Sequence, residues 1–381
     1  MRRSRREPSG GPRWTVAPGA CSRLATVSRI ALALLAPVAV LAACHHDAEP
    51  APAPQPTTSV TPLGMASAAT LVTTSNAPEI LATLHHAREI ALAPGILYVA
   101  DASDSATDPD VDVDIVSVPS APGGAATPAY PAQHGAEGLS FAGGKLAWIV
   151  VDEKKGGRVM SAQPGGAAKS IAKTYALDET LIAANGPDLF TMGDLAKGSA
   201  DVIRLGSDAK PARVAAATGH VVRTAIAASA TDVFWLQDDS IVRAPRAGGA
   251  TTTVAAALHT AKVQRMAADA SSVYWTDLGT GDPSWSGRVY RASLADGKVE
   301  TISDAPFPFA VAVDADRVYW TSGPDVGGRI LARDKSGGAT YVLAHDLKQP
   351  RALAVDDRYV YWACAGDGAV GRVEKTPRAS R

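Results

Sequence analysis

The sequence has 381 residues, which is long enough for two or three ordinary domains or for one large domain built from repeats. Hydrophobic residues make up 46% of it and charged residues 20%, values typical of a globular protein and not of a disordered chain. The formal net charge is −1; residues 1–43 hold seven Arg and one Glu, so the rest of the chain carries −7. That acidic remainder argues against nucleic acid as a partner, because phosphate contacts need clusters of Lys and Arg.

The N-terminal segment has the pattern of a secretory signal. Its seven Arg precede or flank an apolar run at 30–41, which is too short to span a bilayer. The run closes with LAAC (41–44), which resembles the lipobox of bacterial lipoproteins, where small residues precede a Cys that becomes lipidated. The resemblance implies a signal peptide over 1–43 and a membrane anchor at Cys44. An ordinary cleaved signal with an incidental Cys is the alternative.

Residues 44–77 are predicted to be a lipidated Cys followed by a flexible linker. The stretch EPAPAPQPTT (49–58) alternates Pro with small residues, which favours an extended polyproline conformation. His45, instead of Asp, after the lipidated Cys favours the outer membrane, with the folded part facing the periplasm or the cell exterior. After processing, Cys44 and Cys364 are the two remaining cysteines, so no intramolecular disulfide is expected.

An internal repeat covers residues 78–376. Each copy has an apolar strand, a turn, and a second strand ending in aromatic residues, as in FAVAVDADRVYWTS (309–322). Two more short strands follow, joined by turns such as Gly248-Gly249. Four antiparallel strands in some forty residues form the unit of a propeller blade, so the sequence predicts an all-β, seven-bladed β-propeller. The equivalent second-strand positions of the seven copies are Val99, Trp148, Phe190, Trp235, Trp275, Trp320 and Trp362.

The two ends of the repeat region predict how the ring closes. The last copy stops after its third strand, GRVEK (371–375), without a fourth. The segment PEILATL (78–84), ahead of the first copy, looks like the fourth strand YVLAHDL (341–347). Pairing of the N-terminal strand with the last copy completes the seventh blade and removes a free sheet edge.

Residues 274–277 read YWTD, and GRVYRASLADG (287–297) follows them. Together these segments resemble the YWTD propellers of low-density-lipoprotein receptors (class B repeats), and NHL-type and streptogramin-lyase-type propellers are similar at this level. The receptor propellers usually have six blades, whereas seven copies are present here, and one copy carries the full tetrapeptide. The resemblance implies a binding or scaffold role more often than catalysis, without naming a ligand.

Polar residues collect in the loops of one predicted face, which we call the upper face. It consists of the loops joining strands two and three of each blade and the connections from strand four to the next strand one. Carboxylates there, such as Asp101, Asp277 and Asp282, predict an acidic surface suited to a cationic partner or divalent ions. Trp285 lies outside the strand pattern, and a loop Trp is a good contact residue. Folding back onto its own blade is an equal alternative for this side chain.

Histidines and arginines recur at the predicted upper ends of the blades. We assign all six histidines beyond the leader to strand four-to-one connections at the channel mouth, where metal binding and acid–base chemistry are conceivable. Hydrogen-bonded links between blades are the favoured alternative. Arginines recur near the start of strand one, where pairing with carboxylates is favoured over anion binding. These residues are His85, His86, His134, His220, His259 and His345, with Arg88, Arg223, Arg265 and Arg351.

The sequence favours a non-catalytic, membrane-anchored binding scaffold that acts as a monomer and takes a protein or small-molecule ligand on its upper face. Motifs such as GxSxG, HExxH and GxxxxGK do not occur in it, and no cofactor is expected. The alternative is a metal-assisted lyase or hydrolase with a His/Asp site at the channel mouth, similar to streptogramin lyases. That alternative requires a bound divalent metal.

Overall fold

The chain divides into residues 1–59 and 60–381, and every residue described below belongs to the second unit. The computed structural model describes residues 70–74, 76–103, 112–151, 157–174, 181–193, 200–206, 210–218, 221–256, 258, 260, 262–279, 286–324 and 326–375, and of residues 200 and 221–224 it describes the backbone alone. Within these ranges, no helix has the length and apolarity needed to cross a bilayer.

Seven sheets, each with four antiparallel strands and one of them extended by a fifth, form the blades of a β-propeller, and the strands are numbered in chain order. The first strands of blades one to seven are β3 (Ala87–Ala93), β7 (Glu137–Ala142), β11 (Ile182–Asn185), β15 (Val221–Ala228), β19 (Val263–Ala268), β23 (Val311–Val313) and β27 (Pro350–Val355). The second strands are β4 (Ile96–Ala102), β8 (Lys145–Val150), β12 (Asp188–Gly193), β16 (Asp232–Gln237), β20 (Ser272–Asp277), β24 (Arg317–Ser322) and β28 (Tyr359–Cys364).

Third and fourth strands lie progressively outward in each blade. The third strands are β5 (Asp112–Pro119), β9 (Gly157–Ala162), β13 (Ala200–Leu205), β17 (Ser240–Pro245), β21 (Arg288–Ser293), β25 (Gly328–Asp334) and β29 (Ala369–Glu374). The fourth strands of blades one to six are β6 (Thr127–His134), β10 (Lys169–Thr174), β14 (Ala212–Ala217), β18 (Thr252–Ala255), β22 (Val299–Asp304) and β26 (Thr340–Leu347). The predicted all-β, seven-bladed architecture is therefore confirmed.

The core is a ring of apolar layers between neighbouring blades. Each of the seven predicted equivalent positions lies on a second strand and is at most 1% exposed. Phe190 and Trp235 belong to one buried cluster shared by blades three and four, and Tyr274 and Trp320 to another shared by blades five and six. Because side chains alternate across a strand, each second strand supplies both of its neighbouring layers. This is why its residues are apolar on both faces.

Ring closure follows the prediction, and one further strand adds to it. β2 (Glu79–Thr83) pairs antiparallel with β29 as the fourth strand of blade seven, with Thr83 opposite Ala369. β1 (Leu71–Thr73) pairs in parallel with β26, as a fifth strand of blade six. This strand lies inside the segment 44–77 that the sequence assigned to a flexible linker. Leu, Val and Thr favour extended structure, and the outer edge of blade six offers unpaired backbone groups to them.

The turns between strands one and two of blades five to seven carry the same hydrogen-bonded unit. In blade six, Asp314 Oδ1 accepts hydrogen bonds from the backbone N–H groups of Asp316 (2.9 Å) and Arg317 (2.8 Å). Asp314 Oδ2 accepts one from the Tyr319 hydroxyl at 2.8 Å. We call the three equivalent units the lower-rim Asp–Tyr pairs: Asp269–Tyr274 (3.0 Å), Asp314–Tyr319 and Asp356–Tyr361 (2.8 Å).

Lysines of the following blade join two of these pairs to their neighbours. Lys335 Nζ of blade six donates to Asp269 Oδ2 at 2.5 Å, and Lys375 Nζ of blade seven donates to Asp314 Oδ2 at 2.7 Å. Burial alone would raise the pKa of Asp269, but hydrogen bonds from Lys335 and Ser271 outweigh it and lower the pKa to about 2. Burial, reinforced by the Asp269 carboxylate, raises the pKa of Tyr274 to about 12. Both groups therefore keep one protonation state across the neutral range.

Earlier blades are joined at the same rim by different residues. Arg246 of blade four reaches into the strand one-to-two turn of blade three, where Nη1 donates to Asn185 Oδ1 (3.0 Å) and Nη2 donates to Asp188 Oδ2 (2.9 Å). Its guanidinium also lies 5.3 Å from the centroid of the Phe190 ring. Between blades one and two, the Tyr130 hydroxyl donates to the carbonyl oxygen of Gln163 at 2.9 Å.

Candidate functional site: the upper end of the central channel

The first strands of all seven blades surround a central cavity of about 390 Å³. Each of these strands is the inner edge of its sheet, so its channel-facing backbone groups have no further strand to pair with. The lining is rich in alanine, and short side chains leave the space on the axis open. Cavities of roughly 300 to 1,000 Å³ are the usual size for small-molecule sites. Alanines in the lining include Ala183, Ala184, Ala227, Ala267 and Ala312.

β-bulges interrupt five first strands close to their upper ends. The register shifts fall between Ala87 and Glu89, Glu137 and Ser140, Val222 and Ile226, Val263 and Met266, and Pro350 and Ala352. A bulge re-aims the side chains beside it, so a charged residue can be present in a strand whose remaining residues pack against neighbouring blades. The recurring arginines of the sequence lie at or in these bulges, and Arg265 and Arg351 line the cavity.

An ion pair crosses the channel at this level. Arg265 Nη2 of blade five lies 2.9 Å from Glu89 Oε1 of blade one, and these two blades are not neighbours in the ring. Glu89 Oε2 also accepts a hydrogen bond from the backbone N–H of Leu139 in blade two, at 2.8 Å. The side chains of Arg265 and Glu89 are 28% and 16% exposed. Because both are largely withdrawn from water, the pair is screened less than a surface pair.

Arg351 of blade seven is the second cation of the lining. Its guanidinium lies 4.7 Å from the centroid of the Phe309 ring, in the connection that enters blade six. Stacking on an aromatic face holds a planar guanidinium in one orientation. The upper end of the cavity thus combines two guanidinium groups with one carboxylate. The side chain of Arg223 lies outside the described residues.

Two carboxylates of the upper face are buried and accept hydrogen bonds from the backbone. Asp277 is 5% exposed, and its Oδ1 accepts hydrogen bonds from the backbone N–H groups of Lys262 (2.8 Å) and Gly279 (2.9 Å). Asp101 is 6% exposed, and its Oδ1 accepts from the backbone N–H groups of His85 (2.9 Å) and His86 (2.8 Å). Asp277 is the last residue of a second strand and Asp101 the last but one, and each holds the chain that enters the first strand. These two carboxylates therefore add little to the acidic surface predicted for the upper face, which stays a prediction for the carboxylates outside the described residues.

The described histidines are distributed over separate partners. His134 is the last residue of β6 and His345 lies within β26, so the assignment of both to connections at the channel mouth is wrong. His345 lies inside the segment 341–347 that the sequence predicts as a fourth strand, and the fourth strands form the outer part of each blade. His134 Nδ1 lies 3.5 Å from Asp112 Oδ1, and His345 Nδ1 lies 2.7 Å from Asp346 Oδ2.

The two adjacent histidines ahead of β3 have different partners, one in blade seven and one in blade one. His86 Nδ1 hydrogen-bonds to the carbonyl oxygen of Ala365 in blade seven at 2.8 Å. His85 Nδ1 lies 3.0 Å from Asp101 Oδ2, within its own blade. His86 therefore links two neighbouring blades through an imidazole, which is the structural use weighed for it in the sequence.

Among the residues that the structure describes, no three His, Cys, Asp or Glu side chains are grouped as ligands for a metal ion. Several predicted site residues lie outside the described ranges, and their roles stay predictions: Cys44, His220, His259, Asp282 and Trp285. Cys364 is fully buried at the end of β28, and burial raises the pKa of its thiol to about 12, so a reactive thiolate is disfavoured.

Sequence reasoning missed Glu89, the acidic partner in the channel. The segment REIALA (88–93) places it directly after one of the recurring arginines, in a first strand that is otherwise apolar. A charged residue beside a recurring cation in such a strand is the signal that was available. Its partner Arg265 lies 176 positions away in the sequence, and the two meet because the closed ring brings blades one and five to the same channel.

No protein-family model matches the sequence, and no curated protein matches it either. Solved structures do match in fold. PorZ, a bacterial surface component of the type-IX secretion system of Porphyromonas gingivalis, has a TM-score of 0.55 at 13% identity, over 79% of this chain and 39% of PorZ. This chain thus spans well under half of PorZ.

Two further solved structures are similar. YCF48 bound to D1 peptide has a TM-score of 0.54 at 10% identity, over 83% of this chain and 100% of YCF48. A puromycin-hydrolyzing peptidase of Mycobacterium tuberculosis has a TM-score of 0.53 at 14% identity, over 77% of this chain and 52% of the peptidase. At such identities the similarity establishes the β-propeller fold and nothing finer.

Proposed function

We propose that this protein is a lipid-anchored, extracytoplasmic binding module that takes its ligand, without catalysis and as a monomer, at the upper mouth of the propeller channel. One observation carries the proposal. A cavity of about 390 Å³ has an alanine-rich wall, with Glu89, Arg265 and Arg351 brought to its upper end from three blades. A concave cavity of this size, with a few polar groups converging at one end, is a usual form of a small-molecule site.

The fold neighbours do not decide between binding and catalysis. YCF48 is bound to a peptide in its structure, and the mycobacterial neighbour is a peptidase. Because one fold hosts both kinds of protein, the choice rests on the residues of this chain. The charged groups that line the described cavity are two guanidiniums and one carboxylate, which suit recognition of a charged ligand.

Filling the cavity tests the proposal. Ala184 is exposed and lines the cavity one residue above the lower-rim Asn185, so Ala184→Trp fills the channel below the charged groups, where the ligand would extend, without displacing packed side chains. Ala230→Trp, in an exposed turn between β15 and β16, is the matched control. The full chain in detergent is incubated with the small-molecule fraction of a bacterial extract and examined by native mass spectrometry. Wild type and Ala230→Trp are expected to retain an added mass that Ala184→Trp loses.

Two results count against the proposed function. One is the absence of any retained small molecule in the wild type, and the other is equal retention in Ala184→Trp. Elemental analysis of the same preparations addresses the metal-assisted lyase or hydrolase. If the wild type holds a divalent metal near one per chain and a His220→Ala/His259→Ala double variant loses it, the hypothesis of a non-catalytic protein is overturned.

The anchor is tested separately. Lipidation at Cys44 is expected to incorporate an alkyne-tagged palmitate into the full chain and to place it in the outer-membrane fraction of cells. Cys44→Ser is expected to lose the tag, whereas Cys364→Ala, which removes a buried thiol, is expected to keep it. Equal labelling of wild type and Cys44→Ser would overturn the anchor at this residue.

A further inference from the structure

The upper end of the channel is already arranged around a carboxylate. The two oxygens of Glu89 accept hydrogen bonds from Arg265 Nη2 at 2.9 Å and from the Leu139 N–H at 2.8 Å. One donor is a guanidinium, whose planar fork matches carboxylate geometry, and the other is a fixed backbone amide. These two donors come from blades five and two, so the ring itself holds them in place around the carboxylate.

The charge of the described lining favours an anion. Glu89 balances the charge of Arg265, and Arg351 adds a second guanidinium to the same cavity. The lining therefore has a formal charge of +1 inside a chain that carries −7 beyond residue 43. A low-dielectric cavity concentrates the field of such a charge, so a small anion is attracted there although the protein as a whole is acidic.

Backbone groups complete the set of hydrogen-bonding partners. Each first strand is the inner edge of its sheet, and its channel-facing N–H and C=O groups lie beside the cavity. Edge N–H groups of this kind can bind the oxygens of a ligand whose carboxylate is held by arginine. The bulges near the upper ends of the first strands set the arginines and these edges at one level.

We propose that the ligand is a small organic carboxylate, which binds Arg351 and competes with the Glu89 side chain for Arg265. The inference rests on the proposed function, since it requires the channel to be the ligand site. Glu89 acts as an internal competitor. While its carboxylate accepts the hydrogen bond of Arg265, an entering carboxylate has to displace the Glu89 side chain before it can bind that guanidinium. Removal of the Glu89 charge must then strengthen binding, whereas removal of a guanidinium must weaken it.

The test is calorimetric titration of the full chain in detergent with succinate, benzoate, inorganic phosphate and choline. Glu89→Gln keeps the size of the side chain and removes its charge, and it is expected to bind succinate or benzoate about tenfold more tightly. Arg351→Gln is expected to bind it about tenfold or more weakly. Arg358→Gln, an exposed lower-rim arginine paired with Glu374, is the matched control and is expected to match the wild type.

Several outcomes overturn the inference. Binding of phosphate without either carboxylate contradicts the ligand class, and binding of choline that is lost in Glu89→Gln contradicts the sign of the site. Carboxylate binding unchanged in both Glu89→Gln and Arg351→Gln contradicts the location. If Glu89→Gln does not fold, Arg351→Lys takes its place: it keeps the charge but loses the planar fork, and is expected to bind more weakly than the wild type.

The failure of this inference is distinguishable from the failure of the proposed function. A small molecule that wild type retains and Ala184→Trp loses supports a ligand site in the channel. If neither carboxylate binds in the same preparations, the channel is a ligand site for another chemistry. If no molecule is retained and no probe binds, both proposals are overturned.

Discussion

At the lower rim, blades five to seven contact their neighbours through different residues from those that blades two to four use. The late blades repeat one unit, an Asp–Tyr pair, to which Lys335 and Lys375 of a following blade bind in two of three cases. The early blades use unrelated residues, such as Arg246 against the blade-three turn. Neighbouring blades are therefore joined at this rim by several different kinds of polar contact.

The buried tryptophans also differ between the two sets of blades, in whether the indole N–H has a hydrogen-bond acceptor. In the early blades, Trp148 Nε1 donates to Gln133 Oε1 at 3.1 Å, and Trp235 Nε1 donates to Gln237 Oε1 at 3.2 Å. In the late blades, the buried indole nitrogens find no hydrogen-bond acceptor among the described residues: Trp275, Trp320 and Trp362. The late blades thus have the more regular rim and the less satisfied core.

Shortening the second-strand core residue is expected to have the largest effect. Trp320→Ala in blade six should lower the free energy of unfolding by about 3 to 5 kcal/mol, because it leaves a large cavity between two blades. Val99→Ala, at the equivalent position of blade one, should lower it by about 1 to 2 kcal/mol. Urea unfolding followed by tryptophan fluorescence and circular dichroism measures both. Equal losses would contradict the expectation that the cost at this position follows the volume of the side chain removed.

Removing a lower-rim carboxylate comes next. Asp314→Ala leaves the Tyr319 hydroxyl and the Lys375 ammonium without their acceptor in a half-buried site, which should cost about 2 to 3 kcal/mol. Asp188→Ala is the early-blade counterpart and should cost about 1 kcal/mol, since Arg246 keeps its bonds to Asn185. The comparison fails if the two variants have the same urea midpoint.

Replacing the indole with a phenyl ring isolates the hydrogen bond of the core. Trp148→Phe loses the bond to Gln133, whereas Trp320→Phe removes a buried N–H with no described acceptor. The first variant should therefore be about 1 kcal/mol more destabilised than the second. Thermal unfolding of both, beside the wild type, measures the difference. A larger loss for Trp320→Phe would show that shape and not hydrogen bonding sets these positions.

Acid sensitivity is the smallest expected difference, because Asp269 is partly exposed and its pairing is screened. The pKa of Asp269 is lowered from 3.8 to about 2 in the folded protein, so its contribution is present above about pH 4 and is lost as the pH falls towards 2. The stability advantage of the wild type over Asp269→Asn should shrink across that window. Asp357→Asn, an exposed carboxylate in the equivalent turn of blade seven, is the control and should track the wild type.

The architecture was predictable because the propeller repeats its core residues. Seven aromatic or apolar positions at similar spacing indicate seven second strands, and the missing fourth strand of the last copy indicates how the ring closes. β1 was not predictable: three residues, Leu71–Thr73, have no counterpart in the repeat and pair with an edge that exists once blade six has formed. Local patterns cannot reveal such a contact.

The candidate site was predictable in part. Recurrence brought out Arg265 and Arg351, but the bulges that turn charged side chains towards the channel leave no mark in a periodic pattern. Glu89 contacts Arg265 across the ring, and this juxtaposition depends on the closure of all seven blades. His134 was misplaced because the ends of strands are less clearly marked in sequence than their centres. His345 was misplaced although the predicted fourth strand 341–347 contains it.

The pairing of β2 with β29 has a consequence for the order of folding. It joins residues 293 positions apart, as in the bond between Glu79 and Arg372, and bringing such distant segments together costs about 5 kcal/mol of chain entropy. During synthesis from the N-terminus, the first strand of the closing pair is present long before the second, so the ring stays open until the last strand has been made. A chain that lacks only residues 369–375 would leave β2 unpaired and the outer edge of β28 exposed, and such unpaired strands are the usual starting points for aggregation. Closure of the ring therefore depends on the synthesis of β29, the last strand of the propeller.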